Sequence, residues 1–421
     1  MLVKETKVLA HASEASHPRL WPLATVMATG VFATTFVQLQ CLGNLPFYSL
    51  LMNRMGLDSA QAAAFMNLTM LPWSFKAIAG LLVDGFPLFG SRRRGYLLLS
   101  AWTAAMMWVL MGFASHNRHW LLVLAIAMNV AIVFGSTTSG GLLVEASQRF
   151  GASGRLSSLR VLAQNLGAGL GLPLGGYLAS RALGFTSAVA IAPLLCMFFA
   201  AWFFLREPVA APRAAAFWGP LWAQIRNVCN WRMAWAGLLV FFIQAVPTFR
   251  STSFYDYQTK TLHFSDQLIG LIGFAGYGAA LLSSGTYAWL CRKLTLRHSL
   301  YGTFILAAGS ALPYLAYSAN PVRATVIEAA GQFLLYLAYL PLFDLAVRST
   351  PKGSEALGYS LLISIWNIGL LVGCQTGPML YEHVFAKNMT SLLWLNAAVT
   401  LVGGILVIFL PKAMVGQREG G

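Results

Sequence analysis

The residues best placed to do chemistry lie in Pro72-Trp-Ser-Phe-Lys76-x3-Gly80-x3-Asp84, which runs on to Arg92-Arg93-Arg94-Gly-Tyr96. At helical spacing Lys76, Gly80 and Asp84 share one face, with Lys76 about 12 Å from Asp84 at about 1.5 Å per residue. Asp84 can hold Arg92, Arg93 or Arg94 by a charge-assisted bond, and Gly80 lets another helix come close, which is the chemistry of a latch. Two more acids stand one helical turn before an arginine, in Glu145-x3-Arg149 and Asp344-x3-Arg348. Glu145, Asp344 and Arg348 are therefore expected among the ion pairs, with Glu145 and Asp344 facing the clusters Arg92 to Arg94 and Arg292 to Arg297.

Lys76 sits deep in an apolar run, where a cation calls for an anion. With Gln164, Asn165, Trp366 and Asn367 it would make a site with one cation for a carboxylate, amides for the edge of a heterocycle and an aromatic surface for its face. The residues alone leave a structural reading open, in which Lys76 snorkels or pairs with an acid and the two asparagines bridge helices. Arg160 reads as structural. Glu328 and Glu145 are candidate proton carriers, and Arg250, Asp256, Lys260 and Glu328 gather as a candidate outer gate. Seven histidines and five cysteines show no metal-ligand spacing and no CxxC, and no Walker motif is present, so no metal, cofactor or enzymatic reaction is expected.

The elements that must position these groups are membrane helices. The chain is 57% hydrophobic and 10% charged, against about 25% charged in a soluble domain. Apolar runs long enough to span a bilayer fall at about 22-50, 60-83, 95-114, 120-146, 157-180, 186-205, 233-257, 266-290, 298-318, 322-347, 355-380 and 390-411. The net charge of +15 would suit nucleic acid, but Lys and Arg crowd the loops of one side, as the positive-inside rule requires. That puts both termini in the cytoplasm of a multi-pass protein in a plasma or inner membrane and removes nucleic acid as a partner. The first 20 residues are polar, and a cleaved signal is not expected.

The fifth and eleventh spans repeat each other at an offset of 202: Gly151/Gly353, Ser158/Ser360, Asn165/Asn367, Gly167/Gly369, Gly171/Gly373 and Gly175/Gly377. A second match, at offset 205, pairs Gly80 with Gly285, Arg92 with Arg297 and Tyr96 with Tyr301. Two parallel six-helix repeats follow, 1-205 and 233-421, joined by a Pro-, Ala- and Trp-rich cytoplasmic linker at 206-232 that carries an amphipathic piece. The expected fold is an all-α membrane protein of about twelve helices in the six-plus-six arrangement of the major facilitator superfamily.

Gly80-x3-Asp84 with its arginine run resembles that superfamily's loop signature, though no basic residue follows Asp84 directly and the spacer is longer. The whole pattern Pro-Trp-x2-Lys-x3-Gly-x3-Asp-x2-Pro-x2-Gly-x-Arg-Arg-Arg-x-Tyr resembles the folate-biopterin transporter family. So do Leu340-Pro341-Leu342, Pro351-x-Gly353-x-Glu355-Ala356, Asn367-x-Gly369 and, more loosely, Tyr287 to Arg297. The family pattern has two further acids in the fourth helix, where this chain has Ser136 and Gly140. The resemblance implies a secondary transporter, acting as a monomer in the lipid bilayer, of folate, pterin or a similar organic anion, by proton symport. Two alternatives stay open: a permease for a muropeptide, whose carriers share the Lys, Asp and triple-Arg layout, or for a nucleoside-like compound or drug; and a non-transporting membrane sensor.

Overall fold

The computed structural model describes residues 20–57, 59–114, 116–207 and 218–410. They form helices joined by short turns, and among them the one β-type pairing is an isolated bridge, Leu88 with Ser91. In the first half the helices are α1 (Leu20–Phe36), α2 (Asn44–Ser49), α3 (Ser59–Thr69), α4 (Leu71–Ser74), α5 (Lys76–Gly85), α6 (Arg94–Phe113), α7 (Arg118–Phe150), α8 (Ser153–Leu178) and α9 (Leu183–Phe204). After these come α10 (Trp218–Val228), α11 (Trp231–Ala245), α12 (Phe249–Asp256), α13 (Asp266–Leu290), α14 (Leu296–Gly309), α15 (Pro321–Ser349), α16 (Glu355–Met379) and α17 (Met389–Gly403). Asparagine side chains cap several of the starts: Asn117 accepts from two backbone amides of α7, Asn320 from two of α15, and Asn230 and Asn388 from one each in α11 and α17.

Eight helical spans among the described residues are long and apolar enough to cross a membrane, and nine if the pair Leu221–Val228 and Trp231–Ala245, bent by 66°, counts as one. Large apolar side chains such as Phe113, Leu282 and Ile305 cover the outside, as a lipid-facing surface requires. The other expected spans are less regular. The first is interrupted between α1 and α2, the second between α3, α4 and α5, and the seventh between α11 and α12. A proline stands at or beside each break, Pro46, Pro72 and Pro247, where it withdraws a backbone donor and cannot continue a straight helix. The fifth expected span, α8, is unbroken but rich in glycine and serine and carries Arg155 and Arg160.

The repeated glycines do the same job twice. A Cβ on Gly167 would stand 3.0 Å from the Phe32 carbonyl oxygen, and one on Gly175 would stand 2.5 Å from that of Leu42, so α8 lies on the first broken span. A Cβ on Gly369 would stand 2.8 Å from the Phe241 carbonyl, and on Gly373 and Gly377 it would run into those of Ala245 and Phe249, so α16 lies on the seventh. Gly151 and Gly353 share a left-handed backbone, with φ of 59° and 85°, just before α8 and α16. The match of Gly80 with Gly285 does not carry over. Gly80 is pressed against α16, whereas Gly285 faces open space.

The buried apolar clusters differ along the bundle. At the end that carries Asp84, called here the basic end, one cluster runs through both halves, from Leu143 and Val144 to Met233, Leu342 and Tyr359. At the far end each half keeps its own core, around Phe47, Trp108 and Leu121 in one and around Tyr314, Tyr317 and Leu392 in the other. Residues 208–217 of the expected linker lie outside the described residues; α10, which follows them, packs Leu221 against Gly85 and leaves Trp222 exposed.

Candidate functional site

Two sites stand about 12 Å apart along α5, since Lys76 and Asp84 sit at the start and near the end of that one helix. At the basic end Asp84 is 2% exposed and Arg93 fully buried, and Arg93 Nη1 lies 2.8 Å from Asp84 Oδ1. Asp84 Oδ1 also meets Arg92 Nη2 at 3.3 Å, and its second oxygen accepts the Leu357 backbone N–H at 2.8 Å, in the first turn of α16. Glu355 completes the cluster: its Oε2 lies 2.8 Å from Arg92 Nη2 and 3.4 Å from Arg93 Nη2, and its Oε1 accepts the Gly353 amide at 2.7 Å. Two acids and two arginines, Glu355 from the second half and the others from the first, thus neutralise one another in a contact in which all but Arg92 are buried. Gly80 makes room for it, because a Cβ there would stand 2.7 Å from the Ala356 carbonyl and 2.8 Å from Leu357 Cα.

Other residues expected in this cluster lie at its margins. Glu145 is 3.7 Å from Arg93 Nε and its side chain is 48% exposed, while Arg149 turns away to stack on Phe150. Asp344 does not reach the cluster Arg292 to Arg297: it bonds Arg348 at 2.8 Å within its own helix and accepts from the Tyr287 hydroxyl at 3.3 Å. Arg348 in turn donates to Ser153 Oγ at 3.0 Å, which ties α15 to α8. Arg94 points outward onto Trp202, 4.8 Å from the ring centroid. Glu207 was not anticipated; it accepts the backbone amides of Arg93 and Arg94 at 2.9 and 3.1 Å and so caps α6.

Above this seal lies a cavity of about 1160 Å³ between the halves. The three helix breaks all open onto it, through Gln38 and Gln40, through Trp73 and Ser74, and through Gln244, Pro247 and Thr248. That is where irregular backbone is tolerated at membrane depth. Lys76 lines the cavity, donates to Ser136 Oγ at 2.8 Å and lies 5.2 Å from the Trp73 ring centroid. Gln164, Trp366 and Asn367 also face it. Asn165 does not: one residue beyond Gln164 the helix has turned by about 100°, and Asn165 is buried away from the wall. Of the adjacent pair expected in the site, the wall therefore takes Gln164 alone.

Arg160, four residues before Gln164 on the same face, lines the cavity as well. It lies over Phe343 at 4.7 Å and Tyr359 at 5.6 Å from the ring centroids, and its Nη1 is buried without a hydrogen-bond partner. Phe343 and Tyr339 pack on Trp366 at 4.9 and 4.6 Å, so one aromatic surface runs from Arg160 across to Trp366. Toward the far end, Glu328 accepts from the Tyr314 hydroxyl at 3.0 Å and from Gln332 at 2.8 Å, and Arg250 stacks on Tyr314 at 3.9 Å. The side chain of Asp256, expected beside them, lies outside the described residues. Among the described lining residues the cations are Lys76, Arg160 and Arg250, and Glu328 is the carboxylate.

Residues 39–419 match the BT1 family. The chain is 27% identical to the folate-biopterin transporter of Synechocystis over 88% of its own length and 77% of that protein's. It is 24% identical to folate transporter 1 of Plasmodium falciparum over 88% and 76%, and 22% identical to a probable folate-biopterin transporter of Arabidopsis thaliana over 87% and 91%. In solved structures the same fold recurs in the human organic anion transporter MFSD10, with a TM-score of 0.70, 15% identity and coverage of 93% of this chain and 100% of that one. The proton:xylose symporter XylE gives 0.66, 12%, 95% and 97%. The arrangement is that of the major facilitator superfamily, and the chain is a multi-pass membrane transporter.

Proposed function

Because the chain belongs to the BT1 family, we propose that it carries a folate, a pterin or a similar aromatic organic anion across the membrane by alternating access, driven by a proton gradient. The observation that carries this reading is the cavity between the halves, with its excess of cations over carboxylates, its aromatic surface and its amides from Gln164, Gln244 and Asn367. An aromatic anion would place its ring on Trp366 and Tyr339 and its charge at Lys76. The names borne by the relatives support folate and pterins as the class to try first.

In this reading the segments 1–205 and 233–421 rock as two bodies about the linker 206–232. The cluster of Asp84, Arg92, Arg93 and Glu355 seals the cytoplasmic face, with Glu145 and the pair Asp344 and Arg348 bracing its edge. Glu328 takes the proton. The crowding of Lys and Arg at the basic end supports a cytoplasmic position for both termini. The structure described is then closed to the cytoplasm, with its cavity reaching to Tyr255 and Gln258 near the far end.

The test is uptake of labelled folic acid and of an uncharged pterin into proteoliposomes, with and without an inward proton gradient, for wild type and Lys76→Ala. Saturable, gradient-stimulated folate uptake that is lost in the variant is the expected result. No uptake of either compound in any condition would discard the substrate class and favour another solute or a sensor.

A further inference from the structure

Lys76 and Arg160 are two buried basic side chains, 3% and 9% exposed, on the wall of one cavity. Neither lies within ion-pair distance of a carboxylate among the described residues: Lys76 has the neutral Ser136 hydroxyl, and Arg160 has the faces of Phe343 and Tyr359 with Nη1 unbonded. Like charges brought to one cavity wall repel, and a fold that keeps both without an acid has left room for a counter-charge of the same size. The one carboxylate on the described wall, Glu328, is already bonded to Tyr314 and Gln332.

We infer that Lys76 and Arg160 form a subsite for a pair of carboxylates on one ligand, and that Arg160 sets the preference for doubly charged over singly charged or neutral forms of the same aromatic compound. The inference rests on the proposed substrate class but makes a separate claim, that charge count and not the ring is read at this end. The planar guanidinium, 4.7 Å from the Phe343 ring centroid, offers one carboxylate its donors from the cavity wall, and the flexible lysine reaches the other. Trp366, 4.9 Å from Phe343 and also on the cavity wall, extends the aromatic surface along which the ring system of such a ligand would continue.

Full-length protein in detergent is titrated with folic acid, pteroic acid, pterin and 4-aminobenzoylglutamate, which carry two, one, no and two carboxylates, the last without a pterin. Wild type, Arg160→Gln, Arg160→Lys and Lys76→Gln are compared, and thermal unfolding without ligand checks that each is folded. Wild type should bind folic acid about tenfold or more tighter than pteroic acid, the effect of one charge-assisted bond. Arg160→Gln should bring that ratio close to one and leave pterin unchanged, and Arg160→Lys should restore part of it. Should Arg160→Gln fail to fold, Lys76→Gln must show the same collapse.

A ratio near one in wild type, or an undiminished ratio in the variants, overturns the inference. Binding of 4-aminobenzoylglutamate that depends on Arg160, without binding of any pterin, would keep the subsite and discard the pterin reading. Pterin binding with no gain from either dicarboxylate would do the reverse. If no dicarboxylate binds to folded wild type, the subsite is wrong.

Discussion

Asp84 bonds Arg92, Arg93 and the Leu357 amide at once. Removing its charge leaves a fully buried guanidinium short of its nearest partner, and breaking a buried pair from one side costs about 3–5 kcal/mol. Asp84→Asn should therefore lower thermal stability and cut uptake about tenfold or more, since about 1.4 kcal/mol on the gating equilibrium is tenfold, while folate affinity measured in detergent stays nearly constant. Lys76→Ala should reverse the pattern and lose affinity first. Glu328→Gln keeps the shape that Tyr314 and Gln332 surround but removes the proton site, so counterflow should persist while stimulation by a proton gradient disappears. The local part of this chemistry was legible because Asp84 and its arginines lie within ten residues of each other. Glu355 was visible only as a motif letter, because its partners come from the other half of the chain. The place of Arg160 on the cavity wall was not legible, because depth along a helix does not tell which face a residue takes.

At the level of elements, the glycine stripes of α8 and α16 were readable, since small residues at every fourth position have one physical use, close helix contact. The three proline breaks were not read, because hydropathy averages over a whole span and treats a bent helix like a straight one. Those breaks supply much of the cavity's polar lining, so the pattern that hid them also hid the site. The two matched acids part ways: Glu145 meets Arg93 of the cluster it was expected to face, whereas Asp344 pairs with Arg348 in its own helix and not with Arg292 to Arg297. Packing at Gly80 gives a paired prediction. Gly80→Val would drive a side chain into Ala356 and Leu357 and should destabilise the closed basic end by about 1–3 kcal/mol, read as faster labelling of an added cysteine at Ser360. Gly285→Val, its partner in the repeat, meets open space and should change stability by no more than about 0.5 kcal/mol.

Across the whole molecule the halves share a buried core at the basic end and keep separate cores at the far end. Gln148 donates to the Thr350 carbonyl at 2.8 Å across that shared end. A Gln148→Cys and Thr350→Cys pair, joined by a short thiol crosslinker in a background without the five native cysteines, should stop uptake and leave folate binding intact. Restored uptake on cleaving the linker would complete the check. The uncompensated pair of Lys76 and Arg160 has a further consequence for the cycle. To turn around empty, the carrier would have to strip water from two positive charges with nothing to balance them, which is costly at membrane depth. With a dianion aboard that barrier falls. The return journey is then fast only with a passenger, so labelled folate should exchange against unlabelled folate sooner than it leaks out alone, and a cell holding such a carrier loses little of its store through idle turnover.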